Sequence, residues 1–220
     1  AGFPDMQTTE ELVPALVEAG ADAVEIGVPF SDPLADGSTI QASSFHALKQ
    51  GVTLKDCIDL VSRLRLKVPN TPLILMGYYN PIYSFGLKSF CNEAADAQLD
   101  GIIVADLPTE ESEPLLKLCR PAGLDLIPLL APTSTDSRIS KACLDASGFI
   151  YCVSVTGVTG SRKAIPSQIN DLVSGVRKHT QLPIAVGFGV SNREHMQALG
   201  VIADAVIVGS ALVRTIQDAD

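Results

Sequence analysis

Short apolar runs alternate with helical patterns along the whole chain, and this alternation constrains the fold more than any other feature. The runs Ala23–Val28, Leu73–Met76, Gly101–Val104, Asp125–Leu129, Phe149–Val153, Ile184–Val186 and Ala205–Val208 read as strands. Most are apolar at successive positions, as expected of strands covered on both faces in a parallel sheet. Each is followed by a segment with helical spacing, the crossover that parallel strands need. Ahead of them, a first helix starts at Thr8 or Thr9, places Leu12, Val13, Leu16 and Val17 on one face, and stops at Gly20. Later helices are expected near Thr39–Gln50, Thr53–Arg65, Leu87–Ala97, Glu110–Cys119, Arg138–Asp145, Ser167–His179 and Arg193–Leu199, with a last one opened by Gly209-Ser210-Ala211. Seven strands fall one short of an eightfold βα barrel. The opening AGFPD reads as a turn that follows a strand, and the final helix is short. The expectation is an α/β chain of the (β/α)8 TIM-barrel class, one domain over residues 1–220. Its first strand would lie upstream of Ala1, and its C-terminal end beyond Asp220.

A net charge of −9 in 220 residues argues against nucleic acid as a partner. No apolar run approaches the roughly 18–20 residues of a membrane span. A phosphate ester can still bind an acidic chain through helix N-termini and glycine nests. Cys57, Cys91, Cys119, Cys143 and Cys152 show neither CxxC pairing nor zinc spacing. They read as buried free thiols in a reducing compartment, the cytoplasm or a plastid stroma. His46, His179 and His195 are scattered over expected helices and form no metal triad.

The candidate chemistry starts at Glu25, a carboxylate inside a strand pattern, which is costly to bury without a purpose or a partner. The loop after that strand carries Asp32 and Asp36. Two carboxylates in different surroundings can divide the work of proton shuttle and fixed acceptor. Spacing alone does not choose between Asp32, whose Ser-Asp-Pro setting suits an Asx-turn, and Asp36. Asp106, after the third of these strands, is a further acid at a strand exit. Tyr151 can share a pocket with Glu25 if the strands close into a ring, and Tyr78 and Tyr79 can wall it. Glycine-bearing loops follow the last three strands, at Gly157–Gly160, Gly187–Gly189 and Gly209–Ser210. Backbone N–H groups can approach an anion there, the usual phosphate cradle of such barrels. Arg162 and Lys163 serve equally well as solvated loop residues.

The run EIGVPFSDPLADGSTIQ at Glu25–Gln41 closely resembles the signature of the tryptophan synthase alpha chain family. LMGYYNPIYSFG, ADLPTEES, LLAPTSTDSRI, GVTG, VGFGVS and VGSALV follow in family order. LILMGYYNP and PIAVGFGVSNREH are similar to the alpha portion of fungal-type fused enzymes. One departure is Ser38 where the signature has Pro, losing a fixed φ but offering a helix cap.

The resemblance implies retro-aldol cleavage of indole-3-glycerol phosphate to indole and glyceraldehyde 3-phosphate, with no cofactor or metal in this domain. Pyridoxal phosphate belongs to a beta unit, separate or fused, which is the implied partner. Glu25 falls on the catalytic glutamate and Asp36 on the aspartate that accepts the indole N–H. Tyr78, Ile103, Tyr151 and Thr159 fall on positions that line the indole pocket or close its loop. Gly160, Gly189, Gly209 and Ser210 fall on phosphate-binding positions. Rival readings are another phosphate-binding barrel such as phosphoribosylanthranilate isomerase or a pentose-phosphate epimerase, a free-standing indole-forming lyase, and a non-catalytic allosteric partner of a beta unit. An epimerase would want histidines at strand exits, which are missing here. The presence of both Glu25 and Asp36 speaks against a non-catalytic role.

Overall fold

The computed structural model describes residues 1–153, 167–187 and 189–219. The chain divides into two compact units, Ala1–Leu126 and Ile127–Ala219.

In the first unit, α1 (Met6–Glu18) precedes β1 (Val24–Gly27). The helix starts before the expected Thr8, because Asp5 accepts the Thr8 N–H at 2.6 Å and caps it. Then come α2 (Ser38–Lys49), α3 (Leu54–Lys67), β2 (Leu73–Gly77), α4 (Tyr79–Phe85), α5 (Leu87–Asp96), β3 (Gly101–Val104) and α6 (Glu113–Cys119). Thr53 and Asp56 form a reciprocal capping box at the start of α3. Ser38 does not become a cap: Gly37 occupies that position, without a side-chain bond, and Ser38 is the first helical residue. Helix α4 lies where a loop was expected. Its Pro81 is the third helical residue, where the N–H has no intrahelical partner to lose.

Strands β1, β2, β3 and β4 (Asp125–Ile127) are neighbours in that order in one sheet, and the β1–β2 and β2–β3 pairs are parallel. Alternation along the strands sorts their side chains onto two faces. Val24, Ile26, Leu73, Leu75, Ile102 and Val104 belong to the first hydrophobic cluster, with Ile58, Leu60, Leu64, Phe90 and Leu115 from the helices. Each such side chain, fully buried, contributes about 1.5–3 kcal/mol. Glu25, Ile74, Met76 and Ile103 share the opposite face, since Glu25 pairs with Ile74, and Met76 with Ile103.

The second unit repeats the logic. Strand β5 (Leu129–Leu130), β6 (Ile150–Val153), β7 (Ile184–Gly187) and β8 (Ala205–Val206) form a second parallel sheet in chain order. The expected strand Asp125–Leu129 appears as two segments, β4 and β5, on either side of Pro128, which has no N–H for a ladder. Helices α7 (Asp136–Asp145), α8 (Ser167–Arg177), α9 (Arg193–Leu199) and α10 (Ser210–Ala219) complete the unit. Leu130, Ile150, Cys152, Ile184 and Val186 join the second cluster with Ile139, Leu172 and Val176. Tyr151, Ala185 and Gly187 lie on the other face. The five cysteines are free and buried, as expected. No described helix is long and apolar enough to cross a membrane.

Candidate active site

Glu25 is the second residue of β1, half-buried on the face of the sheet turned away from the first core. Burial, and then the negative charge of Asp36, push its pKa from 4.5 up to about 7. Low dielectric disfavours the carboxylate, and a like charge nearby disfavours it further. Near neutral pH Glu25 therefore exists in both forms, which suits a group that must give and take a proton.

Asp36 is brought near Glu25 by the folding of the loop after β1. Val28 donates to the Met76 carbonyl at 2.7 Å and extends the ladder past the strand. Two turns follow, Leu34 N–H to Asp32 carbonyl at 2.9 Å and Asp36 N–H to Pro33 carbonyl at 3.0 Å. Gln41 then donates its side-chain amide to the Asp36 carbonyl at 2.9 Å, tying the loop to α2. Burial raises the Asp36 pKa, and a hydrogen bond from the Tyr78 hydroxyl acts against that rise. Asp32 is exposed, and its carboxylate accepts from Ser31 Oγ at 2.5 Å. Geometry thus separates two acids that spacing left equal: Asp36 acts on Glu25, while Asp32 is engaged by its neighbour on the loop surface.

Tyr78, 4% exposed, connects the two strand exits. Its hydroxyl accepts the Ala35 N–H at 3.0 Å and donates to Asp36, and its ring lies 5.1 Å from that of Phe30. Ile103 lies on the Glu25 face, in the β3 position paired with Met76. Glu25, Asp36, Tyr78 and Ile103 are thus gathered in one unit. Sequence reasoning did not single out Ile74 or Met76 on that face, nor Phe30 against Tyr78. Alternation within Leu73–Gly77 was the available signal for the first two. Asp106 is exposed, and its Oδ1 accepts the Tyr79 N–H at 2.7 Å.

In the second unit, Tyr151 is buried on β6. A Cβ on Gly187 would stand 2.6 Å from Tyr151 Cε2, so the absence of a side chain there makes room for the ring. Gly187, expected in a phosphate loop, is the last residue of β7 and has this packing role. Gly189 has φ +46°, a conformation that favours glycine, and nothing within 4 Å of a Cβ built there. Gly209 is equally open, and its carbonyl accepts the Val213 N–H, opening α10 with Ser210 as first residue. Thr159, Gly160, Arg162 and Lys163 lie outside the described residues. The histidines have local partners: His46 Nε2 lies 2.8 Å from the Pro4 carbonyl, His179 Nε2 3.0 Å from Asp136, and His195 Nδ1 3.5 Å from Ser191.

Comparison with known proteins agrees with these features. The family model described as tryptophan synthase alpha chain matches residues 1–220. The tryptophan synthase alpha chain of Chloroflexus aurantiacus is 49% identical over 216 residues, covering 98% of this chain and 81% of that protein. That of a Geobacter species is 51% identical over 214 residues, covering 97% and 80%. A chain from the tryptophan synthase α2β2 complex of Pyrococcus furiosus superposes with a TM-score of 0.93 at 42% identity, covering 99% of this chain and 88% of that one. The likeness extends to the fold class, α/β of the TIM-barrel type.

Proposed function

Because the chain belongs to the tryptophan synthase alpha chain family, we propose that Glu25 and Asp36 carry out that family's reaction in it. The activity is that of a carbon–carbon lyase of tryptophan biosynthesis, cleaving indole-3-glycerol phosphate to indole and glyceraldehyde 3-phosphate. A proton must first reach indole C3, which places positive charge on the ring. The bond from C3 to the glycerol carbon then breaks, its electron pair returning to the ring. The hydroxyl on that carbon loses its proton and becomes the aldehyde. One proton is added and one removed, so a single group that cycles between acid and base can serve both steps. Glu25 takes this part, and the observation that carries the assignment is its place on the sheet face beside Ile74 and Ile103, with Asp36 acting on it. Asp36 accepts the indole N–H, and its charge offsets the cation. The Tyr78 hydrogen bond supports this by favouring the charged form of Asp36.

Phosphate recognition falls to backbone groups of the second unit. The left-handed, unobstructed Gly189 and the opening of α10 at Gly209 and Ser210 support it. By resemblance Gly160 shares this role, while Thr159 belongs with the positions that line the indole pocket or close its loop. We treat residues 1–220 as one domain, because the family model runs through both units. Pyridoxal phosphate belongs to the beta unit, which we take as the partner of this chain. Bacterial relatives and five buried thiols support a cytoplasmic setting.

The test is Glu25→Gln, which keeps size and loses proton transfer. Turnover should fall at least about 10²-fold with KM little changed. Near-normal turnover would remove Glu25 from the mechanism.

A further inference from the structure

We propose that Asp106 is a positioning residue for the acid pair: it fixes the turn that carries Tyr78, and through Tyr78 it holds Asp36 in place. The proposal rests on the assignment of Asp36 above. Helix α4 begins at Tyr79, and the residue before it, Tyr78, makes no side-chain cap bond. The acceptor for the Tyr79 N–H comes instead from the exit of β3, 27 residues along the chain. A charged acceptor makes a shorter and stronger bond than a neutral one, and this bond is 2.7 Å long. It therefore pins the peptide directly after Tyr78. From that fixed backbone the Tyr78 hydroxyl reaches the Ala35 N–H and the Asp36 carboxylate.

The exits of three adjacent strands are joined in one line: Asp106 after β3, Tyr78 after β2, and Ala35–Asp36 after β1. Burial, and then the Asp36 charge, favour the protonated Tyr78 hydroxyl, the form that can donate, and the Asp106 charge acts weakly in the same direction. The signal in the sequence was the acid of ADLP. There it reads only as a further acid at a strand exit, and the bond to Tyr79 gives it a role exerted through another side chain.

Kinetics of indole-3-glycerol phosphate cleavage test this, in the protein assembled with its beta unit. Asp106 is exposed, so Asp106→Ala leaves core packing untouched. It should lower kcat about 10-fold with KM within about threefold, because a misplaced acceptor weakens the transition state more than binding. Asp106→Asn keeps an Oδ1 acceptor and should recover most of that loss. In a Tyr78→Phe background, Asp106→Ala should change kcat less than about twofold, because the two residues act as one unit. Full kcat in Asp106→Ala, losses that multiply with Tyr78→Phe, or Asp106→Asn as low as the alanine variant would each overturn the proposal. Asp36→Asn, run alongside, separates the two readings. If it is fully active, the acid assignment fails whatever Asp106 does. If it is inactive while Asp106→Ala is normal, only the positioning role fails.

Discussion

Glu25, which we propose as the proton shuttle, is a carboxylate whose burial works against stability. Its pKa is 4.5 ordinarily and about 7 in the folded chain. Between these values the unfolded chain has released the proton and the folded chain has kept it. The folded state binds more protons there, so stability falls as pH rises through that window. Above pH 7 the whole penalty is present, of the order of 3 kcal/mol. Glu25→Gln cannot ionise, so it should match the parent below about pH 4.5 and melt higher above pH 7; melts at pH 4.5 and pH 8 check this. An equal difference at both pH values would contradict burial of the charge. Asp36 and Asp32 make a sharper contrast. Asp36→Asn should depress kcat about 10²-fold or more, the scale on which a transition-state counter-charge acts. Asp32→Asn loses only an exposed bond from Ser31 and should change kcat little. A larger kcat loss at Asp32, at equal folding, would reverse the assignment. The sequence made Glu25 legible, because a charge inside an apolar run has few explanations. It could not separate Asp32 from Asp36, because turn folding and the reach of Tyr78 across 43 residues decide that. The packing of Gly187 against Tyr151 was hidden for the same reason: the two become neighbours only through strand pairing.

The elements were more legible than the contacts between them, and the failures are physical. Helix α4 hid behind Asn80-Pro81, residues that punctuate helices in the interior and are tolerated in the first turn. Capping at α1 went to Asp5 and not to a threonine, a difference that propensity alone does not fix. One device recurs in both units and was invisible in the sequence. Arg65 near the end of α3 binds Asp100 at 2.5 Å, and Asp100 accepts the N–H of Leu73, first residue of β2, at 2.7 Å. Arg177, last residue of α8, binds Asp204, which accepts the N–H of Ile184, first residue of β7, at 2.8 Å. Each aspartate stands just before the next strand, β3 or β8, so one carboxylate links a helix end to two strand starts. Removing it strands a backbone donor and an arginine. Asp100→Ala and Asp204→Ala should each cost about 1–2 kcal/mol, a charge-assisted bond discounted for exposure. Denaturant melts measure it, and a cost near zero at both sites would show the pairs to be decorative. The Arg177 guanidinium and the Ile184 N–H hold the Asp204 pKa below its ordinary 3.8. Its contribution is present above pH 3.8 and is lost as pH falls further, so parent and Asp204→Ala should converge in acid.

For the molecule as a whole, charge and product decide what else is needed. A chain of net charge −9 has no broad positive field to draw in a phosphate ester, which is why we propose oriented backbone groups for its recognition. The motifs in family order made the family legible from sequence alone, while partnership was legible only through that resemblance. The product itself argues for a partner. Indole is uncharged and apolar, and leaves an open site readily. A consuming enzyme docked on this one gains by shielding it, and the Pyrococcus furiosus relative belongs to an α2β2 complex described in terms of mutual activation. On this chain the loop Pro29–Gly37 carries Asp36, and its Leu34 is 94% exposed. That loop is tied to the second strand by the Ala35 N–H and Asp36 bonds to the Tyr78 hydroxyl. A contact that favours its closed arrangement would raise the fraction of molecules with Asp36 aligned, and turnover would rise by that fraction. Adding the beta unit should therefore increase lyase kcat more than it lowers KM, and Leu34→Asp should blunt the increase while leaving the lyase activity of the isolated alpha unit in place. Titrating the full-length alpha unit with beta unit measures both. If turnover does not change with added beta unit, the free-standing lyase becomes the better description of how this active site works.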